Sequence, residues 1–297
     1  MKNTVIYHSA DFDGIFCREI AKKFLHNAEL IGWNFGDPLI PYPNEGMVYV
    51  LDLSPDCLAH RPLRTASSLI WIDHHKTSIE KWPEEILGYR IDGVAACRLA
   101  WQWFTLFETV IDAYDKDLPS KEDYLNRNVV EPLAVRLAGE YDIWDKRDPR
   151  AETFQYGLRA VPNVNWDRLF AEPRSDNYHD EVLIAGGYAQ FYANDQDAQV
   201  CNSRTWVMEW EGLKFLCVNT ARFNSLFFAA KDVPETGHDA LLGFCYNGKI
   251  WTVSLYHAKH NTGIDLSEIA KKYNGGGHRG ACGFTCKMLP FTLPILP

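Results

Sequence analysis

No stretch of this sequence approaches the ~20 consecutive apolar residues that a membrane helix requires, so a membrane partner is not expected. The opening residues run directly into a strand pattern without the apolar h-region of a secretory signal, and the expected address is cytoplasmic. Paired C-x-x-C knuckles are missing as well. The eight cysteines, at positions 17, 57, 97, 201, 217, 245, 282 and 286, are scattered through apolar segments, where a reduced thiol behaves as a small hydrophobe. That distribution is no disulfide framework, and although Cys282 and Cys286 have a spacing suggestive of metal, no second ligand pair accompanies them. Basic residues are in short supply: 30 Lys and Arg stand against 39 Asp and Glu, a formal net charge of −9. A protein that tracks a long nucleic acid neutralises many phosphates with cationic side chains, so long duplex DNA is not an expected partner and an anionic substrate should be short. Internal repeats and low-complexity tracts are absent too.

What the chain does contain is 46% hydrophobic and 23% charged residues over 297 positions, enough for two domains with their own cores. Its first two-thirds alternate strand-like and helix-like segments. Thr4 to Tyr7, Met47 to Leu51 and Leu69 to Ile72 are nearly all apolar, as parallel strands covered on both faces should be. Ile15, Ile20, Phe24 and Leu25 share a helical face after the first of these, and helical periodicity returns over about 94–107 and 121–137, with a polar connection at 112–120. Gly139 to Asp145 reads as a turn rich in acids and aromatics. The expected fold class is α/β, a parallel sheet built by right-handed crossovers with helices on both faces.

A helix over about 178–199 bridges to a second texture, in which the strand-like runs 206–210, 215–218, 240–245 and 250–255 crowd together. Asn247-Gly248 signals a hairpin between the last two. Asp265 and Glu268 form an approximate capping pair ahead of a helix, and a glycine-rich loop, Gly275-Gly276-Gly277, leads to a final strand near 281–286. The expected organisation is an α/β domain over residues 1–177, a helical linker over 178–204 and a smaller α+β domain over 205–297.

The chemistry collects at strand ends. His8, Asp11 and Asp13 follow the first apolar run, where Gly14 suits a tight turn into the next helix; Asp52 follows the second run, and Asp73-His74-His75 the third. Taken singly, the first group reads equally well as turn chemistry, and Asp52 ahead of Ser54-Pro55 as a helix cap. Three adjacent polar residues closing a buried strand are harder to explain without a partner, because unpaired buried polar groups are costly. Together the three groups put carboxylates and imidazoles at one edge of a sheet, where an oxygen- and nitrogen-ligated metal pair can form, so the chain reads as a metal-dependent hydrolase. A His and carboxylate mixture favours Mn²⁺ over the all-oxygen preference of Mg²⁺. Farther on, Gly275-Gly276-Gly277-His278-Arg279 suits close approach to a phosphate, although the Lys-Ser/Thr of a P-loop is missing.

In this order the motifs resemble the DHH phosphoesterase superfamily, of the oligoribonuclease and RecJ-like kind. The matching positions are His8, Asp11, Asp13 and Gly14 in the first motif, Asp52 in the second, Asp73-His74-His75 in the third, Asp142 in the fourth, and Gly275-Gly276-Gly277-His278 in the DHH-associated C-terminal domain. The resemblance implies two divalent cations, commonly Mn²⁺, with Mg²⁺ or Co²⁺ as alternatives. His8 and Asp11 would hold one, Asp13, His74 and Asp142 the other, and Asp52 both. It also implies that Asp73 orients a neighbouring imidazole and that His75 and His278 meet the substrate phosphate. Gly275, Gly276, Gly277 and Arg279 would help bind substrate, with the active site in the interdomain cleft. The implied reaction is hydrolysis of a short nucleotide: an oligoribonucleotide, a 3′-phosphorylated nucleotide or a cyclic dinucleotide. A non-catalytic nucleotide sensor and a manganese-dependent inorganic pyrophosphatase are the competing readings, and self-association as a homodimer stays open.

Several positions depart from the pattern. Two residues separate His8 from Asp11 where many relatives have three, and Tyr256, followed by His257, Lys259 and His260, stands where relatives often place Arg. Asp145 and Glu140 compete with Asp142 for the fourth motif. Trp251, Tyr256 and Phe223 are candidates for stacking a base, and Arg222 and Lys259 for extra phosphate contacts.

Overall fold

The computed structural model describes residues 2–43, 45–59, 69–82, 86–109, 119–145, 147–171, 177–221 and 223–293. Arg222 and most of the connection expected at 112–120 fall outside them. The chain forms two compact units, Met1–Ala189 and Gln190–Pro297.

The first unit runs β1 (Thr4–His8), α1 (Phe12–Phe24), β2 (Glu29–Trp33), β3 (Val48–Leu51), β4 (Leu69–Ile72), α2 (Lys76–Lys81), α3 (Ala96–Thr109), α4 (Lys121–Leu125), α5 (Leu133–Asp142), α6 (Arg150–Ala160) and α7 (Trp166–Leu169). The long helix α8 (Tyr178–Arg204) follows and continues into the second unit. The four strands form an all-parallel sheet in the order β2-β1-β3-β4. Side chains alternate across it with period two. Val5, Tyr7, Leu51 and Ile72 enter one core with Phe16 of α1, Leu99 of α3 and Val135 of α5. Ile6, Val50 and Trp71 enter the other with Leu53 and Trp82, against which Ile79 of α2 packs. Each such side chain, wholly removed from water, contributes roughly 1.5–3 kcal/mol.

Three local features differ from the sequence expectation. β2 lies outside it, because Glu29-Leu30-Ile31-Gly32-Trp33 sits on the sheet edge with only Trp33 buried. The helical run at 121–137 is two helices: Arg127, at φ 59, turns the chain after α4, and α5 starts behind Pro132, whose missing N–H suits a helix start. Gly139 to Asp142 form the last turn of α5 rather than a loop.

The second unit continues with β5 (Trp206–Trp210), β6 (Leu213–Asn219), β7 (Ala240–Tyr246), β8 (Trp251–His257), α9 (Ser267–Lys272), β9 (Gly276–His278) and β10 (Ala281–Cys286). They make a mixed sheet in the order β5-β6-β7-β8-β10-β9, packed around Phe215, Phe244, Leu255 and Phe284 with Ile269 of α9. The β7–β8 hairpin turns at Asn247-Gly248, with Gly248 at φ 92. Asp265 accepts hydrogen bonds from the backbone N–H and hydroxyl of Ser267, at 3.0 and 2.6 Å, rather than forming a capping box with Glu268. The expected glycine loop is the edge strand β9. A Cβ on Gly275 would lie 2.1 Å from the Gly283 carbonyl oxygen, so this glycine serves close packing within the sheet. All eight cysteines are free thiols.

Candidate metal centre

The chain leaves β1 for β2 on one side, then returns to lay β3 on the other, which opens a crevice at the carboxyl ends of β1 and β3. Register brings the polar residues level there. Tyr7 pairs with Leu51 and Leu51 with Ile72, so the next residues in each strand, His8, Asp52 and Asp73, form one row at the sheet edge.

Each side chain is held by its local structure. Asp11 caps α1, accepting from the Gly14 N–H at 3.2 Å. Asp13 is buried in the first turn of α1, and its two oxygens accept the N–H groups of Ala96 and Cys97, both at 2.8 Å, which open α3. The positive end of a helix favours such a carboxylate. Gly14 is not in the left-handed region expected of a tight turn; a Cβ there would sit 1.9 Å from the His8 carbonyl oxygen, so its role is to let β1 and α1 touch. Asp52 adopts φ 58, an uncommon conformation that Asp tolerates better than most residues, and its N–H bonds the Ile72 carbonyl at 2.9 Å.

Asp52 stands between two groups of donors. His8 Nδ1 lies 3.1 Å from Asp11 Oδ2 and 3.5 Å from Asp52 Oδ2. On the other side His74 Nε2 lies 3.3 Å from Asp142 Oδ2, 3.4 Å from Asp52 Oδ1 and 3.6 Å from Asp13 Oδ2. Donors bound at ~2.0–2.1 Å around one octahedral cation are spaced by ~3 Å, close to these separations. Asp145 is instead paired with Arg147, and Glu140 with Arg127 and Arg136, so of the three acids considered for the fourth motif Asp142 is the one beside His74.

The electrostatics test whether a cation fits. Burial, and then the neighbouring Asp52 carboxylate, push Asp13 up from the ordinary carboxylate range; burial and Asp13 push Asp142 up. Burial would raise Asp52 too, but His74 and His8 outweigh it and hold Asp52 below its usual value. His8 is raised to about 10, chiefly by Asp11 and then Asp52. Burial works against the His74 imidazolium, yet Asp52, Asp13 and Asp142 raise it to about 10 as well. Imidazolium protons therefore compensate a crowd of carboxylates, and Asp52 Oδ1 remains buried without a hydrogen-bond partner. A divalent cation would supply positive charge to this oxygen and nitrogen donor set in place of those protons, so the residues fit the kind of metal that the motifs imply.

Asp73 is fully buried beside this cluster. Its Oδ1 accepts the backbone N–H groups of His74 and His75, at 2.8 and 3.2 Å, and lies 2.7 Å from His75 Nδ1. That contact puts a proton on Nδ1 and leaves Nε2 of the half-exposed His75 for another partner.

The remaining predicted residues lie in the second unit. His278 is exposed on β9, Gly276 has open space where a Cβ would be, and Arg279 donates to the Gly263 carbonyl. The three aromatics offered as base platforms are half-buried: Trp251 beside Phe244 and Tyr246, Phe223 over Gly243, and Tyr256 at the core beside Leu241. A further trio, Asp232, His238 and His260, clips together the chain before β7 and after β8: His238 Nε2 is 3.2 Å from Asp232 Oδ1 and His260 Nε2 is 2.8 Å from the His238 carbonyl. Sequence reasoning also missed Phe35, an exposed ring 6.0 Å from that of His8.

No protein-family model and no curated protein matches this chain. Solved structures resemble it. The DHH domain of a protein assigned to a family of ribosomal proteins aligns over 96% of this chain and 82% of its own, at 12% identity and a TM-score of 0.52. A pGpG-specific phosphodiesterase from Vibrio cholerae aligns over 97% and 94%, at 14% identity and 0.44, and exonuclease RecJ bound to manganese over 96% and 86%, at 12% and 0.48. The chain has the fold of DHH-domain proteins, as its motif order implies.

Proposed function

We propose that this protein is a divalent-metal-dependent phosphoesterase that hydrolyses short nucleotide substrates. The observation that carries the reading is the division of His8, Asp11, Asp13, His74 and Asp142 into two donor groups on either side of Asp52. His8 and Asp11 would hold one cation, Asp13, His74 and Asp142 the other, and Asp52 both, with Mn²⁺ favoured by the mixed donors and Mg²⁺ or Co²⁺ as alternatives. When bound, such a pair activates water at neutral pH and polarises a phosphoryl group.

The chain's own residues do the positioning. The N–H groups at the start of α3 hold Asp13 in place before substrate arrives. Asp73 fixes the His75 ring and raises its pKa, so that Nε2–H is offered as a charge-assisted donor to a phosphate oxygen. His278, Arg279 and the glycines before them are proposed as a phosphate-binding stretch of the second unit, supported by the exposure of His278 and Arg279 and the open backbone at Gly276. The excess of acidic residues supports a short substrate over a long polymer.

A turnover screen with Mn²⁺ over di- to pentaribonucleotides, 3′-phosphoadenosine 5′-phosphate, cyclic dinucleotides and pyrophosphate tests the reading. Mn²⁺-dependent hydrolysis of a nucleotide, lost in His74→Ala, is expected. Stoichiometric Mn²⁺ binding with no turnover of any member would sink it in favour of a non-catalytic sensor, and preference for pyrophosphate would replace the substrate class.

A further inference from the structure

We propose that Phe35 is a platform on which a nucleobase of the substrate stacks, giving the site a preference for base-bearing phosphoesters over base-free ones; this rests on the phosphoesterase reading. Phe35 follows β2 and is 73% exposed, a large apolar ring left in water at the same sheet edge as the metal centre. Its ring meets that of His8 edge to face, with centroids 6.0 Å apart and planes at 66°, and that of Trp33 at 5.6 Å and 68°. Both neighbours therefore touch Phe35 in T-shaped contacts, not by covering a face in a parallel stack.

The surrounding loop is built to hold the ring there. Trp33 Nε1 donates to the Pro38 carbonyl at 3.0 Å, closing the turn. Inside it the Asn34 N–H donates to Asp37 Oδ2 at 2.8 Å and the Asp37 N–H to the Asn34 carbonyl at 3.0 Å. Asn34 Oδ1 in turn accepts the Ser9 N–H and hydroxyl, at 3.3 and 3.1 Å, tying the loop to the residue after His8. Gly36, at φ 102, has nothing within 4 Å of where a Cβ would be, so the backbone next to Phe35 faces open space. A loop pinned at both ends that presents an aromatic ring beside a donor to the first cation suits a planar π-system attached to a phosphate. A nucleoside supplies that chemistry, whereas inorganic phosphates have nothing to place on the ring.

The test compares a diribonucleotide with its abasic counterpart, which carries the same phosphodiester without bases, using the Mn²⁺-loaded protein. Base–aromatic stacking predicts that Phe35→Ala lowers the ratio of kcat/KM for the two substrates roughly tenfold or more, mainly through KM, and that Phe35→Tyr restores it. An unchanged ratio in Phe35→Ala overturns the proposal, as does an equal loss on both substrates. If the wild-type protein cleaves neither, the hydrolase reading rests on the other members of the turnover screen and the platform is judged on equilibrium binding of adenosine monophosphate. Roughly tenfold weaker binding in Phe35→Ala then supports it, and equal binding overturns it.

Discussion

Replacing Asp73 probes the site at its most buried point. One oxygen of this fully buried carboxylate serves the His74 N–H, the His75 N–H and His75 Nδ1, at 2.8, 3.2 and 2.7 Å. Asp73→Ala strands two backbone donors, each costing about 1–3 kcal/mol when buried, and removes a charge-assisted bond of roughly 1.5–3 kcal/mol. Because the three share one acceptor and the His75 side chain is 41% exposed, solvent screening and non-additivity bring the expected total to about 3–5 kcal/mol. Asp73→Asn keeps the acceptor oxygen and loses the charge, for about 1–2 kcal/mol. The sign with pH follows from the raised pKa of His75, caused chiefly by its bond to Asp73. A group raised on folding contributes fully below its unfolded pKa of ~6.5 and loses that contribution as pH climbs through the folded value. The stability gap between wild-type and Asp73→Asn is thus widest near pH ~5.5 and narrows as the solution becomes alkaline. Urea unfolding across that range with metal chelated measures it, alongside Mn²⁺-dependent turnover, which Asp73→Ala should abolish. An unchanged urea midpoint for Asp73→Ala, or a gap that widens with pH, would refute the assignment of Asp73 as the anchor of His75.

Three further outcomes follow from the geometry. His8 and His74, both raised to about 10 by the carboxylates around them, must release protons to bind metal, so Mn²⁺ affinity should rise from pH 6 to 9; calorimetry in buffers of different ionisation enthalpy reads the proton release, and pH-independent affinity contradicts it. Asp142→Asn should lower bound Mn²⁺ by elemental analysis and remove turnover, whereas Asp145→Asn, whose carboxylate is occupied by Arg147, should do neither. Gly14→Ala drives a Cβ to 1.9 Å from the His8 carbonyl, a backbone clash that should cost at least about 1–3 kcal/mol in thermal unfolding and weaken metal binding, with retained affinity as the adverse result.

Most of the first sheet and of the candidate metal site can be read from sequence because both obey one local rule: an all-apolar run followed at once by acids and imidazoles. What cannot be read is whatever depends on distant partners. Nothing near Asp13 announces that the first N–H groups of α3, more than eighty residues on, will hold its carboxylate. Arg98 is fully buried against Glu131, bonded through Nε at 2.9 and 3.0 Å, and no pattern local to either residue announces the pair. The choice among Glu140, Asp142 and Asp145 needs three dimensions for the same reason: all three have partners, and the partner distinguishes them.

The strand β2, absent from the sequence expectation, shows how one such omission propagates. Because β2 lies outside β1 in the order β2-β1-β3-β4, leaving it out changes nothing in the row His8, Asp52, Asp73, and the candidate donors converge whether or not it is foreseen. The same omission removes everything that β2 carries to the sheet edge. Trp33 pairs in register with His8, so the residues after it must emerge next to the first donor group, and Phe35 is among them. Aromatic candidates chosen without that strand come from the second unit, where each is half-buried on its sheet. An edge strand with mixed burial is faint to any periodicity argument, and here it delivers the exposed ring that, on the stacking proposal, distinguishes a nucleotide from bare phosphate. If Phe35→Ala leaves that distinction intact, the register between β1 and β2 carries no consequence for specificity.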